Sequence, residues 1–151
     1  MNKKGYCGRN IGKSEIGDNG FCGPNKGPRC DKCFFNINDK KIIPINAFHK
    51  DLQVYGYRFE NFAYLTDVKT IAAEEKEKLT GLDVLVLSAL RIDPHPSHLN
   101  LEEALALVEL LQPQKAYFTH ISHLLGFHDE VESNLPDHIH LAYDTLEITS
   151  T

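Results

Sequence analysis

Hydrophobic residues are distributed differently before and after about residue 40. From residue 41 onward, short apolar runs alternate with segments that have a helical repeat of apolar positions. Strands that alternate with helices along the chain predict an α/β fold. The first forty residues are rich in glycine, proline and cysteine, and such a segment buries little apolar surface by itself. We therefore expect an irregular segment over residues 1–40 and a folded domain over residues 41–151.

Seven apolar runs predict β-strands. They are residues 42–48, 53–59, 62–66, 83–88, 115–119, 139–142 and 146–149. Pro44 predicts that the first run lies at a sheet edge or a strand end, because proline cannot donate to a strand ladder. The run at 83–88 is continuously apolar, which is typical of a strand covered on both faces. The second and third runs are expected to form a hairpin, as are the last two.

A first helix is predicted over residues 71–80. Thr70 can cap its start, and Gly81 is suited to end it. Glu74 and Lys78 are spaced to form an i,i+4 ion pair on its surface.

Two further helices are predicted closer to the C-terminus. Asn100, with Glu103 three residues later, predicts a capping box at the start of an amphipathic helix that Pro113 ends. A short helix is expected over residues 124–133. Together with the strands, these helices complete the α/β prediction.

The composition is that of a soluble globular chain. Apolar residues make up 42% of the 151 residues and charged residues 25%. No apolar run approaches the roughly 20 residues that span a bilayer, so we expect no membrane partner. No apolar stretch follows the basic residues at the N-terminus, so we expect no signal peptide and a cytoplasmic location.

Charge is distributed unevenly along the chain. Residues 1–41 carry nine basic and four acidic residues, whereas the remaining 110 carry seven basic and seventeen acidic residues. A basic segment of this kind is either a solvated face or a nucleic-acid contact. We favour the solvated face and expect no nucleic-acid partner.

All four cysteines lie in the first 33 residues: Cys7, Cys22, Cys30 and Cys33. In a reducing compartment, a Cys-x-x-Cys pair among four thiols favours tetrahedral zinc over disulfides. The wide gap between Cys7 and Cys22 is unusual, because zinc modules commonly carry two tight pairs. A structural zinc, free thiols and disulfides therefore all remain open.

Three residues of metal-binding types follow predicted strands. His49, Asp67 and His120 each stand at or just beyond the end of an apolar run. Two histidines and one carboxylate are typical ligands of catalytic zinc or manganese sites, which leave a position open for water. A solvated histidine at a strand end is the simpler alternative for each residue alone. Three predicted strands that each end at a metal-binding residue, together with His98 in a Pro-rich loop, indicate a metal site.

Residues 41–148 resemble the C-terminal half of metallo-β-lactamase-fold hydrolases. The resemblance is greatest to phosphodiesterases related to the phosphoribosyl cyclic phosphate phosphodiesterase of the carbon–phosphorus lyase pathway. The matching stretches lie at residues 45–49, 54–58, 62–67, 82–87, 119–123 and 142–144, with His98 before the capped helix. The resemblance implies half of an αββα sandwich.

The resemblance also implies roles at a dinuclear centre for divalent zinc or manganese. His49 would ligate the first metal, Asp67 would bridge the two metals, and His120 would ligate the second. His98 would bind the phosphate and protonate the leaving oxygen, a task suited to imidazole. The implied substrate is a small phosphodiester, such as a cyclic phosphate or a nucleotide-like compound.

A separate structural zinc is implied by the same family. His123 matches a position that joins N-terminal cysteines in some members, and its partners here would be Cys22, Cys30 and Cys33, or alternatively Cys7. The competing interpretation of His123 is a capping residue at the start of a helix. His95, His128, His138 and His140 are interpreted as surface imidazoles.

One motif of the family is missing from this sequence. Its members carry a His-x-His-x-Asp-His motif that supplies most of the ligands for both metals, and no such motif occurs here. The family's first half-sheet is also replaced by about forty Cys/Gly/Pro-rich residues. We therefore expect the isolated chain to be inactive, and to form a homo-oligomer or bind a complementing chain. The alternative is a non-catalytic zinc-binding interaction module on a half-fold.

Overall fold

The computed structural model describes residues 34–149. The strands in this range are β1 (Phe35–Ile37), β2 (Lys40–His49), β3 (Leu52–Phe59), β4 (Phe62–Leu65), β5 (Thr70–Ile71), β6 (Val84–Ser88), β7 (Lys115–Thr119) and β8 (Ile139–Leu141). The α-helices are α1 (Ala73–Lys76), α2 (Leu101–Leu111) and α3 (His128–Glu132), and a 3-10 helix at Glu77–Leu79 follows α1. This alternation confirms the predicted α/β class. None of these helices has the length and apolar character needed to cross a membrane.

The strands form one sheet with the order β1-β2-β3-β4-β6-β7-β8, and β5 pairs with β2. Strands β1 to β4 pair antiparallel, whereas β4, β6, β7 and β8 pair parallel. Two antiparallel steps separate β2 from β4, so these two strands run in the same direction. The carboxyl ends of β2, β4, β6 and β7 therefore meet at one edge of the sheet.

Most predicted strands form close to their predicted bounds. The last hairpin was predicted wrongly, because β8 pairs parallel with β7 and no strand forms over residues 146–149. The chain instead turns after β8, with a hydrogen bond from the Leu146 amide to the Tyr143 carbonyl at 3.1 Å. The division at residue 40 stays a prediction. The strand β1, which precedes it, already pairs with β2.

The helix predicted over 71–80 is largely absent. Thr70 and Ile71 pair with β2 as the short strand β5, so Thr70 is not a cap. Only four residues are α-helical before the chain tightens into the 3-10 turn. Because the helix is short and irregular, Lys78 bonds both carboxylate oxygens of Glu75, at 2.7 and 2.8 Å, rather than pairing with Glu74.

The helix α2 confirms its predicted capping box. The Asn100 side chain accepts from the Glu103 amide at 2.9 Å, and the Glu103 carboxylate accepts from the Asn100 amide at 3.0 Å. The helix ends at Leu111, and Gln112 adopts a left-handed conformation before Pro113. The third helix, α3, is shorter than its predicted range of 124–133.

Pro44 was predicted to lie on an edge strand or at a strand end, but β2 is internal. In β2, the backbone amides of the even-numbered residues point toward β1 and β5. Pro44 is at one of these positions, and it lies between the part of β2 that pairs with β1 and the part that pairs with β5. Two residues later, the Asn46 amide donates to Glu75 Oε2 at 2.7 Å. Glu75, only 4% exposed, thus completes the side of β2 that none of the described strands covers.

The core lies on one face of the sheet. Ala63, Leu65, Leu85, Leu87 and Phe118 are fully buried there and form one cluster with the buried side of α2. The opposite face carries exposed aromatic residues, which we call the aromatic face: Tyr55, Tyr57, Phe59 and Tyr64, each between 38% and 48% exposed. Tyr57 and Tyr64 are direct cross-strand partners. Half of a sandwich is expected to leave one such face open.

Candidate metal centre

Three strand ends bring the predicted metal ligands to one edge of the sheet. His49 is the last residue of β2, Asp67 lies two residues beyond β4, and His120 directly follows β7. The loop between β6 and α2 carries His98 to the same place. The common direction of β2, β4 and β7 is the reason that residues so far apart in sequence converge.

The four side chains contact one another. His49 Nε2 lies 3.0 Å from His98 Nε2, and Asp67 Oδ1 lies 3.4 Å from His120 Nε2 and 3.8 Å from His98 Nδ1. The His98 ring stacks on the His120 ring with 4.9 Å between centroids. The structure therefore brings together all four residues that the sequence placed at the catalytic site. Their individual roles stay predictions.

Two of these residues have unusual backbone conformations. Asp67 and His120 have φ values of 56° and 57°, in the left-handed region that residues with a Cβ rarely adopt. Such conformations cost on the order of 1 kcal/mol or more and cluster at functional sites. Here the turn at each strand end directs the chain away from the sheet within one or two residues.

Backbone hydrogen bonds join the segments that carry these side chains. The Lys69 amide donates to the Phe48 carbonyl at 2.7 Å, and the Leu99 amide donates to the Val68 carbonyl at 3.0 Å. The segment after β7 is joined to that of His98 through Leu90, whose carbonyl accepts from the Ser122 amide at 2.9 Å and whose amide donates to the Leu99 carbonyl at 3.0 Å. The residues His49, Asp67 and His98 thus sit on three directly bonded segments.

The His98 side chain is more enclosed than those of Asp67 and His120, with 12% exposure against 45% and 36%. Its Nδ1 atom is buried and has no hydrogen-bond partner among the described residues. Burial lowers the pKa of His98, and the neighbouring imidazoles of His49 and His120 lower it further, while Asp67 opposes them. A neutral imidazole, the form that ligates metals, is therefore favoured.

His95 is a site residue that the sequence analysis missed. Its ring centroid lies 4.9 Å from that of His98, and its Nδ1 lies 3.3 Å from Ser97 Oγ. Partial desolvation lowers its pKa, with a further contribution from the charge of Arg91. The signal was present in the Pro-flanked segment His95-Pro96-Ser97-His98, where two histidines are three residues apart.

The predicted structural zinc site stays a prediction. Its four candidate cysteines, Cys7, Cys22, Cys30 and Cys33, lie outside the described residues. His123 lies in an exposed turn five residues before α3, so it does not cap that helix. His140 is more than a surface imidazole, because its Nδ1 lies 3.0 Å from Glu132 Oε1.

The donor set at the sheet edge fits a divalent metal ion. One ligand atom from each of His49, Asp67 and His98 lies within 4.8 Å of the other two. His120 contacts Asp67 but stands outside this mutually close set. Imidazole and carboxylate groups suit both zinc and manganese. The buried, unpaired nitrogen of His98 also fits a site in which a cation organises the side chains.

Comparisons with known proteins agree with this arrangement. A new diphosphatase from the PhnP family shares 42% identity with this chain, with a TM-score of 0.76 over 78% of this chain and 46% of that protein. The short form of human tRNase Z has a TM-score of 0.59 and 16% identity over 76% of this chain and 45% of that one, which shows the fold alone. The chain thus spans less than half of either solved protein.

An octanoyltransferase from Porphyromonas gingivalis (strain ATCC BAA-308 / W83) is 37% identical over 114 residues. The match covers 75% of this chain but only 23% of that protein. The family model for the beta-lactamase superfamily domain matches residues 32–121. The chain therefore belongs to the beta-lactamase superfamily and has a metallo-β-lactamase fold, and its likeness to the diphosphatase is consistent with the PhnP branch.

Proposed function

We propose that this chain forms the carboxyl-terminal half of a metal-dependent phosphodiester hydrolase. The observation that carries the proposal is the convergence of His49, Asp67, His98 and His120 at one sheet edge. The 42% identity to a PhnP-family diphosphatase supports phosphorus chemistry as the reaction class. A small phosphodiester, such as a cyclic phosphate or a nucleotide-like compound, is the proposed substrate.

In the proposed site, His49 and His120 would each hold a metal ion, and Asp67 would contribute to holding both. The ions, zinc or manganese, would supply Lewis-acid chemistry and a water of lowered pKa to attack phosphorus. The left-handed turns at Asp67 and His120 support this assignment, because they orient both side chains toward the same point.

His98 has the proposed role of general acid toward the leaving oxygen. Because the pKa of His98 is lowered in the free chain, this role requires that the negative charge of a bound phosphodiester favour the protonated imidazole. Its position in the loop before α2 is fixed by the Leu99 hydrogen bond and by Asn100, whose side chain donates to the Ile92 carbonyl at 3.0 Å. These hydrogen bonds hold the imidazole in place, so little conformational entropy is lost when it transfers a proton to the leaving group. His95, 4.9 Å away, adds a second imidazole beside an anionic substrate.

The site needs further ligands from outside this half. The His-x-His-x-Asp-His motif is absent from the sequence, so each ion would have one or two protein ligands. We therefore propose that hydrolysis requires a second copy or a complementing chain, and that the isolated chain is inactive. The exposed aromatic face supports this proposal, because exposed apolar patches of this kind mark interaction surfaces. A cytoplasmic location stays a prediction.

The second candidate is a non-catalytic, zinc-binding interaction module. The absent metal-binding motif and the cluster of four cysteines favour it. The two candidates differ in one testable respect. If this chain is half of a hydrolase, its site residues should support catalysis once the missing ligands are supplied. If it is an interaction module, they should not.

A chimera tests the proposed function. The amino-terminal half of the PhnP-family diphosphatase would be joined ahead of residue 34, and hydrolysis of bis(p-nitrophenyl) phosphate would be measured with zinc or manganese. We expect turnover in the chimera, none in the chain alone, and a loss of at least 100-fold in the chimera on Asp67→Asn or His120→Asn. His128→Asn, at an exposed histidine of α3, is the matched control. A folded chimera without turnover would favour the interaction module.

A further inference from the structure

We infer that the outer edge of β8 is a strand-pairing surface that Glu132 keeps closed, and that the partner it fits is the same edge of a second copy of this chain. This surface is distinct from the aromatic face and from the metal centre. The inference goes beyond the proposed function and does not depend on hydrolysis.

The strand β8 lies at one end of the strand order and pairs, among the described strands, with β7 alone. Successive residues of a strand direct their amide and carbonyl groups to opposite sides. The His138 carbonyl accepts from β7 and the Ala142 amide donates to β7. The backbone groups of Ile139 and Leu141 therefore point away from β7. Outward groups of this kind are a template for pairing with another chain.

Glu132 occupies this edge with both carboxylate oxygens. Its Oε2 accepts from the Leu141 amide at 2.5 Å, and its Oε1 lies 3.0 Å from His140 Nδ1. The other outward amide, that of Ile139, donates to the Pro136 carbonyl at 2.8 Å. An incoming strand would have to displace Glu132 before its own carbonyl could accept from Leu141.

The helix α3, which carries Glu132, is a slight cover for the edge. It has five residues, none of them buried, and the Glu132 side chain is 33% exposed. Val131 in α3 and Leu135 beyond it are only partly buried where they pack against the core. Segments with few buried apolar contacts open at a low cost in free energy. The two Glu132 contacts are therefore a large part of what holds α3 against β8.

A second copy fits the opened edge because it presents the same outward groups. Two β8 strands can pair antiparallel about a two-fold axis, as in an isologous dimer. Ile139 and Leu141 are 4% and 3% exposed, so pairing would place two apolar rows side by side. With Glu132 in place, two carboxylates would meet near that axis, and like charges oppose pairing. The parent chain therefore stays unpaired at this edge.

Sedimentation velocity across a dilution series, under reducing conditions, tests the inference. All chains would carry Tyr57→Lys with Tyr64→Lys, which places two charges on the aromatic face. Against that background, Glu132→Ala should strengthen dimer formation at least tenfold. Glu130→Ala removes the same charge from the same helix and should change it less than threefold. Glu132→Asp keeps the charge but is one methylene shorter, so it should also strengthen dimer formation.

Hydrogen exchange followed by NMR identifies the surface that pairs. In dilute Glu132→Ala, the Leu141 amide should exchange at least tenfold faster than in Glu130→Ala, and the dimer formed at high concentration should protect it again. If Glu132→Ala does not fold, Glu132→Asp carries the same two measurements. Dimer formation no stronger in the Glu132 variants than in Glu130→Ala would overturn the inference, as would a dimer that leaves the Leu141 amide unprotected.

Discussion

At the scale of single residues, the environment of His98 links the site to the stability of the fold. Folding lowers the pKa of His98, chiefly through burial and then through the imidazoles around it. Near and below the usual histidine pKa of about 6.5, the unfolded chain therefore binds more protons than the folded chain, and acid favours unfolding. At higher pH both states hold the neutral imidazole, and this destabilising contribution disappears.

We expect the metal-free chain to lose stability as the pH falls from about 7.5 to about 5.5, with a smaller loss in His98→Asn. Urea unfolding in the presence of a chelator, at both pH values, measures the difference. His128→Asn is the matched control, since that side chain is 43% exposed. An equal pH dependence in the His98 variant and the parent chain would contradict the prediction.

Residue patterns predicted the members of the site but not their contacts. His49, Asp67 and His120 could be found because each follows a run with clear strand character. His95 could not be assigned a role, because its closeness to His98 depends on the path of a loop that has no periodicity. The close approach of His49 to His98 could not be predicted for the same reason. The left-handed backbone conformations of Asp67 and His120 could not be predicted either. The usual sequence signal for such a conformation is glycine, and neither residue is glycine.

At the scale of elements, sequence patterns correctly predicted the structures that depend on one segment of the chain alone. The capping box of α2 is local, and it formed as predicted. The segment after β4 is different, because pairing with β2 draws Thr70 and Ile71 into a strand. That tertiary pairing outweighs the helical preference of the residues, shortens α1, and replaces the expected surface pair Glu74–Lys78 with the buried pair Glu75–Lys78.

The buried pair gives a prediction at this scale. Glu75→Ala removes the acceptor of the Asn46 amide and leaves the Lys78 ammonium, 14% exposed, without its partner. Breaking a buried ion pair from one side costs about 3–5 kcal/mol, so we expect a loss of about 3 kcal/mol or more in the free energy of unfolding, measured in urea. Glu74→Ala, the exposed neighbour, is the control and should change stability by less than about 0.5 kcal/mol. Similar effects from both substitutions would show that the Asn46 and Lys78 contacts contribute little.

At the scale of the whole molecule, the two faces of the described sheet differ in how far their side chains are buried. The core face is covered by helices, but Tyr55, Tyr57, Phe59 and Tyr64 remain between 38% and 48% exposed on the other face. On that face, the strands β4 and β6 differ in exposure. Tyr64 on β4 is exposed, whereas Val84 and Val86 on β6 are 5% exposed because larger neighbours flank them in the sheet.

We expect the chain to self-associate through the aromatic face when no complementing half is present. The free-energy gain comes from removing contiguous apolar surface from water, at roughly 25 cal/mol per Å². Tyr57 and Tyr64 are cross-strand partners, so Tyr57→Lys with Tyr64→Lys places two like charges side by side in the middle of that face. Association should weaken at least tenfold in this variant, as measured by sedimentation velocity across a dilution series.

The control for this experiment is Leu110→Lys on α2. Leu110 is 63% exposed and lies on the helix, on the other side of the molecule from the aromatic face. If loss of association followed from added positive charge alone, this variant would show it too. A parent chain that stays monomeric, or a Tyr57 and Tyr64 variant that associates like its parent, would contradict the prediction. Weaker association in the tyrosine variant alone would identify the surface on which a complementing half must dock to complete the metal site.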